Sequence, residues 1–330
     1  MAGGGGKVMA QPANIPVSVV VMTRNEAANI ADCLRCLAAF AQVLVVDSDS
    51  TDETASIAQV HGATLVPFRW NGHYPKKKQW SLEWPGLAHD WVLFVDADER
   101  LTPALVAEIA ALLAQSRCEA AFFIDSRPVW LGRVLRFGSP YRKMALLHRH
   151  RARFPVCDDL HIATMWEVEG HYQPILQGAA GRLSAPMIHA DEKPPFAWFE
   201  RHNRYSDWEA LLDAGSSDDS SRLAGEKGWR RFAKRAVAAL PCRPLWAFLH
   251  AYVLYLGFLD GKAGLHHAVA RSFYYWSISL KRDWLRARQP MSPIARNTTD
   301  QPSLLASLLS PASALTSSKV RRRTISSGMR

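Results

Sequence analysis

The chain has 330 residues, 48% of them hydrophobic and 21% charged, with five cysteines and a formal net charge of +10. This ordinary globular balance accommodates one large domain or two modest ones. The charge is unevenly placed: ten Lys/Arg and two Asp fall from Lys281 onward, a net +8, leaving +2 for residues 1–280. The body is therefore not a basic nucleic-acid binder, and a basic tail suits an anionic membrane surface at least as well as nucleic acid. Cys33, Cys36, Cys118, Cys157 and Cys242 make no disulfide framework. Cys33 and Cys36 lie in the apolar pattern Ile30-Leu34-Leu37, as buried helix cysteines do. The start, Met1 to Lys7, lacks the long apolar core of a secretory signal.

In chain order, residues 1–15 are rich in Gly, Pro and Asn and read as a disordered N-terminus. Val17–Met22 is a β-branched strand that ends in the polar turn Thr23-Arg24-Asn25-Glu26, and Ala27–Phe40 has helical periodicity. A second strand, Val43–Val46, closes in Asp47-Ser48-Asp49-Ser50-Thr51-Asp52, with the helix Thr54–His61 capped from Ser50, Thr51 or Asp52. Ala63–Pro67 is a third strand, Lys76–Leu82 a helix and Trp91–Val95 a fourth strand. Pro103–Gln115 is a helix capped by Thr102. This alternation reads as a doubly wound α/β unit.

Beyond Ala120 the pattern changes. Ala121–Asp125 and Arg142–His148 read as strands of a mixed edge, and Phe196–Leu212 as a helix. Residues 213–228 form a polar loop, 229–288 an aromatic-rich helical extension, and 289–330 a basic, disordered tail. The longest uncharged run, Pro244–Leu259, is shorter than the roughly twenty residues that span a bilayer. It reads as a core or interfacial helix, with Trp, Tyr and Arg flanks that favour membrane contact.

The segment Val92-Leu93-Phe94-Val95-Asp96-Ala97-Asp98-Glu99-Arg100 carries the most chemistry. A buried apolar strand ends in two carboxylates, and the carboxyl ends of parallel strands open into the crevice where such sheets bind ligands. Paired aspartates there are costly unless a cation sits with them, and a hard divalent ion sharing substrate phosphate oxygens fits that need.

Three motifs stand in order: Thr23-Arg24-Asn25-Glu26, Val45 to Asp52, and Asp96-Ala97-Asp98. With Tyr74 to Trp80, His189-Ala190-Asp191, Arg201 to Tyr205 and Gly257 to Gly264, they make residues 16–285 resemble the family 2 glycosyltransferases of GT-A fold. More narrowly the chain is similar to the bacterial lipopolysaccharide-core branch. The resemblance implies a GT-A domain over 16–212, a Rossmann-like mixed α/β sheet flanked by helices, followed by the C-terminal helical extension. It implies a metal-dependent, inverting sugar transfer from a nucleoside-diphosphate donor, UDP favoured, to a glycan or lipid-linked acceptor. The enzyme would work in cell-envelope polysaccharide or lipopolysaccharide synthesis, in the cytoplasm and peripheral to the inner face of the membrane.

On the same resemblance, Thr23, Asn25, Glu26, Asp47 and Asp49 face the nucleotide, since carboxylates accept from base N–H groups and ribose hydroxyls. Lys78, with Gln79 beside it, approaches the donor, and Lys76 and Lys77 are surface charges. Asp98 is the direct ligand of Mn2+ or Mg2+. Asp96 contacts ribose or a metal-bound water, and His189 adds a metal or diphosphate contact. The general base lies after the metal motif, among Glu167, Glu169, Asp158, Asp159 and Asp191. Glu167 matches best, Glu167 and Glu169 being read as alternating across a strand.

Two other classes are weaker. A sugar-nucleotide nucleotidyltransferase needs a Gly-rich phosphate loop after the first strand, and Thr23-Arg24-Asn25-Glu26 has no glycine. A nucleic-acid-binding protein is disfavoured because the body shows neither an aromatic-basic RNA motif nor a helix-turn-helix pattern.

Overall fold

The computed structural model describes residues 14–115, 118–139, 141–157, 159–162, 167–170, 172–215 and 242–288. The expected disordered N-terminus up to residue 13, most of the polar loop, the start of the helical extension and the basic tail lie outside them, as do Asp158 and Trp166.

Four parallel strands form the first half of the sheet: β1 (Ile15–Thr23), β2 (Phe40–Asp47), β3 (Thr64–Pro67) and β4 (Trp91–Asp96). Their spatial order is β3-β2-β1-β4. All four were legible as short apolar runs; β1, β2 and β4 run one to four residues longer than expected, and β3 is one residue shorter, starting at Thr64. β1 alternates its contacts between the two sides. Val17, Val19 and Val21 enter one core with Ile30, Leu105 and Ile109, and Val20 and Met22 enter the other with Leu82, Leu87 and Phe154.

The helices between these strands are α1 (Ile30–Arg35), α2 (Thr54–Val60) and α3 (Lys77–Glu83), and α4 (Pro103–Leu113) follows the last of them. The Thr102 cap holds: its hydroxyl accepts from Leu105 N at 3.2 Å. The helix expected over Ala27–Phe40 contracts to six residues. Ile30, Leu34 and Leu37 are buried, and Cys36, Leu37 and Phe40 close by i→i+3 bonds, so the apolar spacing served tight turns as well as a helix. Glu53, without a side-chain bond, flanks α2; the Asp52 carboxylate still accepts from Thr54 N at 3.0 Å.

After β4 come β5 (Glu99–Leu101), β6 (Ala121–Trp130), β7 (Arg133–Val134), β8 (Tyr141–His148), β9 (Ala152–Arg153), β10 (Ile175–Leu176), β11 (Ala180–Arg182) and β12 (Met187–His189). From β4 the sheet runs β8-β6-β12-β5, with β8 antiparallel to both β4 and β6, β12 parallel to β6, and β5 antiparallel to β12. This is the mixed sheet expected of a GT-A fold. Only Ala97 and Asp98 separate β4 from β5, yet β5 lies at the far end of that path. The second half of the sheet must therefore curl until its last strand returns beside the end of β4.

Helix α5 (Pro195–Gly215) packs on a long C-terminal helix, α7 (Gly261–Arg288), and α6 (Arg243–Leu249) packs on α7 as well. A π turn at His250–Leu254 and a 3₁₀ turn at Gly257–Asp260 join α6 to α7. Among the described residues no helix is long and apolar enough to cross a membrane.

Candidate functional site

The register of three neighbouring strands gathers the first motifs. Thr23 pairs with Asp47 across β1 and β2, and Met22 pairs with Asp96 across β1 and β4, so the three carboxyl ends emerge side by side. The Thr23 hydroxyl donates to Asp47 Oδ1 at 2.7 Å. Asp47 also accepts from Ser50 N at 2.8 Å and Ser50 Oγ at 2.5 Å. The loops are joined further by Asn25 N to Ser50 Oγ, Thr51 N to Asn25 Oδ1, and Glu26 N to Thr54 Oγ1, each at 2.8 Å. Asn25 and Asp49 sit at φ 56° and 52°, left-handed positions that Asn and Asp tolerate best after glycine. Asp49 turns outward, where Arg69 Nε lies 3.0 Å from both its carboxylate oxygens.

The lysine run corrects the sequence reading. Lys76 and Lys77 are not surface charges; their side chains are each 1% exposed. Lys76 Nζ pairs with Asp159 Oδ2 at 2.8 Å, and Trp208 Nε1 donates to the same oxygen at 2.9 Å. Lys77 Nζ donates to Thr23 O at 2.9 Å and Ser48 Oγ at 2.6 Å, with Glu167 Oε1 at 3.5 Å. Lys77, rather than Lys78, therefore reaches the ends of β1 and β2. Lys78 is half-buried with Nζ 5.9 Å from the Phe154 ring centroid, and burial pushes its pKa below the usual lysine range. Gln79 is buried with its amide engaged by Glu83 and by Phe154 N.

Residues 167–170 form no strand, so the expected alternation of Glu167 and Glu169 does not arise. Glu169 is fully buried and accepts from Lys78 N at 2.8 Å and Gln79 N at 2.7 Å, satisfying amides at the start of α3. Glu167 is the carboxylate left facing Lys77. Asp159, another base candidate, is committed to Lys76 and Trp208.

Beyond β4 the acidic motif splits into two roles. Asp96 Oδ2 lies 3.1 Å from Lys143 Nζ, and the same ammonium contacts Glu99 Oε2, which also accepts from Asp96 N at 2.8 Å. Burial opposes ionisation of Asp96, but Lys143 and Lys78 prevail and hold its pKa down to about 2. Burial pushes Glu99 up to about 6 against the pull of Lys143. Asp98 Oδ2 lies 3.4 Å from His189 Nε2. The pairing of His189 with Glu99 across β12 and β5, and the Ala190 N to Asp98 O bond of 2.8 Å, fix that approach.

Among the described residues no three His, Cys, Asp or Glu side chains converge into a ready-made metal cage. Asp98 and His189 offer a carboxylate and an imidazole, a donor set suited to Mn2+ or Mg2+ when diphosphate oxygens and water complete the shell. The residues fit such a cation; Asp96 is engaged by Lys143 instead.

Glu26 and Asp191 meet through Asn29, whose Nδ2 lies 2.8 Å from Glu26 Oε2 and 3.2 Å from Asp191 Oδ1. Lys193 Nζ is 2.6 Å from Glu26 Oε1, and Arg201 Nη2 is 2.6 Å from Asp191 Oδ2. Burial raises the Glu26 pKa. For Asp191 burial acts in the same sense, but the Arg201 hydrogen bond and charge outweigh it and hold the carboxyl below its usual range.

Sequence reasoning missed Lys77, Lys143, Glu99 and Asn29 as members of this cluster. Glu99 carried a signal, as the third acid of Asp96-Ala97-Asp98-Glu99. Lys143 carried none, because only the β8–β4 pairing brings it to Asp96.

Residues 18–155 match the model of glycosyl transferase family 2. The chain is 30% identical over 158 residues to the lipopolysaccharide core biosynthesis glycosyltransferase LpsC of Rhizobium meliloti, covering 44% of this chain and 56% of that protein. It is 33% identical over 146 residues to an uncharacterized glycosyltransferase of Rickettsia bellii, covering 41% and 46%. The chain thus spans about half the length of these curated relatives. Among solved structures, a mannosyltransferase of Pyrobaculum calidifontis in complex with GDP-Man and Mn2+ aligns at a TM-score of 0.40 and 18% identity, covering 83% of this chain and 89% of that one. Residues 18–155 thus carry a domain that matches glycosyl transferase family 2, and the chain is similar to a lipopolysaccharide-core glycosyltransferase.

Proposed function

We propose that the protein is a metal-dependent, inverting glycosyltransferase of cell-envelope polysaccharide or lipopolysaccharide synthesis. It takes a sugar from a nucleoside-diphosphate donor, UDP favoured, and passes it to a glycan or lipid-linked acceptor at the membrane surface. One observation carries the reading. Thr23, Asp47 and Asp96 emerge together from three neighbouring strands, with the Asp98–His189 pair beyond them.

In this scheme the loops of Thr23, Asn25, Glu26, Asp47 and Asp49 bind the base and ribose, and Lys77 and Lys78 add positive charge beside them. Asp98 and His189 would hold the divalent cation, which when bound supplies Lewis-acid neutralisation of the leaving diphosphate. Lys143 keeps Asp96 ionised and oriented toward the ribose side. Glu167 takes the proton from the acceptor hydroxyl as that oxygen attacks the anomeric carbon opposite the diphosphate. Asp191 is a weaker base because Arg201 stabilises its charged form, so it orients Arg201 toward the acceptor.

The test is calorimetric titration of the full chain with UDP, GDP and dTDP, each with and without Mn2+. Metal-dependent binding of one nucleotide supports the reading. A folded protein that binds none of them overturns it.

A further inference from the structure

The C-terminal helix α7 is inverted in character. A helix of a water-soluble domain normally buries its large apolar residues and exposes its polar ones. Here the buried positions are mostly small, Ala263, Gly264, Ala268, Ala270 and Ser277, with Ile278 and Leu285 the two large apolar exceptions. The large apolar residues Leu265, Val269, Phe273, Trp276, Leu280 and Trp284 are instead 38–52% exposed. Their spacing of three or four residues puts them on one stripe, about 29 Å long at the α-helical rise. So long an apolar face on a helix too polar to span a bilayer calls for a partner that covers it.

The charges around the stripe select that partner. Helix α7 carries six Lys/Arg against a single acid, Asp283. Lys262 is exposed at one end of the stripe and Arg286 and Arg288 at the other, with the Arg288 guanidinium 4.2 Å from the Trp284 ring centroid. Cations at the ends and tryptophans on the face are the composition of a helix lying in the headgroup region of an anionic bilayer. A second copy of the chain would set like charges against each other there. The stripe also leads back to the site. The Phe273 ring lies 6.0 Å from Phe199 of α5, which is half exposed, and α5 supplies the Arg201 that holds Asp191.

We propose that this face of α7 docks the protein flat on an anionic phospholipid bilayer, with the start of α5 turned toward the lipid. This docking deepens the reading of a lipid-linked acceptor by stating how the protein would approach one.

The experiment is co-sedimentation of the full chain with vesicles of phosphatidylcholine plus phosphatidylglycerol, and of phosphatidylcholine alone. The protein is compared with Trp276→Glu/Leu280→Glu and with Val60→Glu, an 84% exposed apolar residue on α2. Circular dichroism and nucleotide titration of each variant report folding and the donor site separately from lipid binding. We expect salt-sensitive pelleting with the anionic vesicles only, falling on the order of tenfold or more in the double variant and unchanged in Val60→Glu. Absence of pelleting by the unmodified chain, or equal pelleting by the folded double variant, overturns the proposal. So does a dimer in light scattering that the double variant abolishes without any lipid binding, which would assign the face to a second copy.

Discussion

Nε2 of His189 stands 3.4 Å from Oδ2 of Asp98, His189 ending β12 and Asp98 lying in the two-residue link between β4 and β5. The antiparallel pairing of β12 with β5 brings the two backbones together and so places the side chains within reach. If the pair holds a divalent ion, Asp98→Ala should abolish metal-dependent nucleotide binding. His189→Ala should weaken it on the order of ten- to a hundredfold, leaving any metal-independent binding unchanged; a metal effect equal to that of the unmodified chain in either variant would rule the pair out. Calorimetry with and without Mn2+ measures both.

The Lys76–Asp159 pair is enclosed on all sides. Lys76→Met would leave a buried carboxylate with only the Trp208 indole for support, and breaking such pairs typically costs about 3–5 kcal/mol. The expected result is a large drop in urea midpoint, partly recovered in Lys76→Met/Asp159→Asn, where the carboxamide still accepts from Trp208. Equal midpoints for the unmodified chain and Lys76→Met would refute the burial of this ammonium.

Acid should weaken the fold through two histidines. His202 stacks on Trp198 at 3.7 Å and His267 lies 5.8 Å from Trp130, and burial lowers each pKa to about 4. Both are bases depressed in the folded state, so the unfolded chain binds more protons between their folded value and the ordinary 6.5. Stability is then full above pH 6.5 and lost as pH falls toward 4, on the order of 3 kcal/mol for each histidine. Melting temperatures across this range should fall, and His202→Phe, which keeps an aromatic ring against Trp198, should flatten the curve.

Gly264 gives a steric test. A Cβ there would stand 1.9 Å from the backbone oxygen of Gly257, so the start of α7 cannot stay seated on the 3₁₀ turn. Gly264→Ala should cost about 1–3 kcal/mol as the turn shifts. Thermal unfolding would detect it, whereas Gly62→Ala, strained at φ +76° but with nothing within 4 Å, isolates the backbone contribution.

The first half of the fold was readable because buried parallel strands leave continuous apolar runs, and Val92–Val95 followed by Asp96 and Asp98 shows both strand and crevice. The rest depended on tertiary partners. A run of three lysines resembles a solvated face until Asp159, Thr23 O, Ser48 and Glu167 arrive from distant segments to receive two of the ammonium groups. Glu167 and Glu169 carry no local sign of which one caps α3. The three-residue β5 is too short for any periodicity, yet it orients His189.

That short strand has a mechanical consequence. Following hydrogen bonds from β4 through β8, β6 and β12 to β5, and then the covalent link through Ala97 and Asp98, returns to the starting point. The Asp98–His189 pair, which we propose holds the cation, is thus set into a closed hoop laced by backbone bonds and riveted by two residues. A hoop of this kind resists local adjustment, since shifting Asp98 drags β5 and with it His189. The ends of β1 and β2 are joined instead by side-chain hydrogen bonds such as Thr23 to Asp47 and Asn25 to Ser50, which a substitution can remake one at a time without moving a strand.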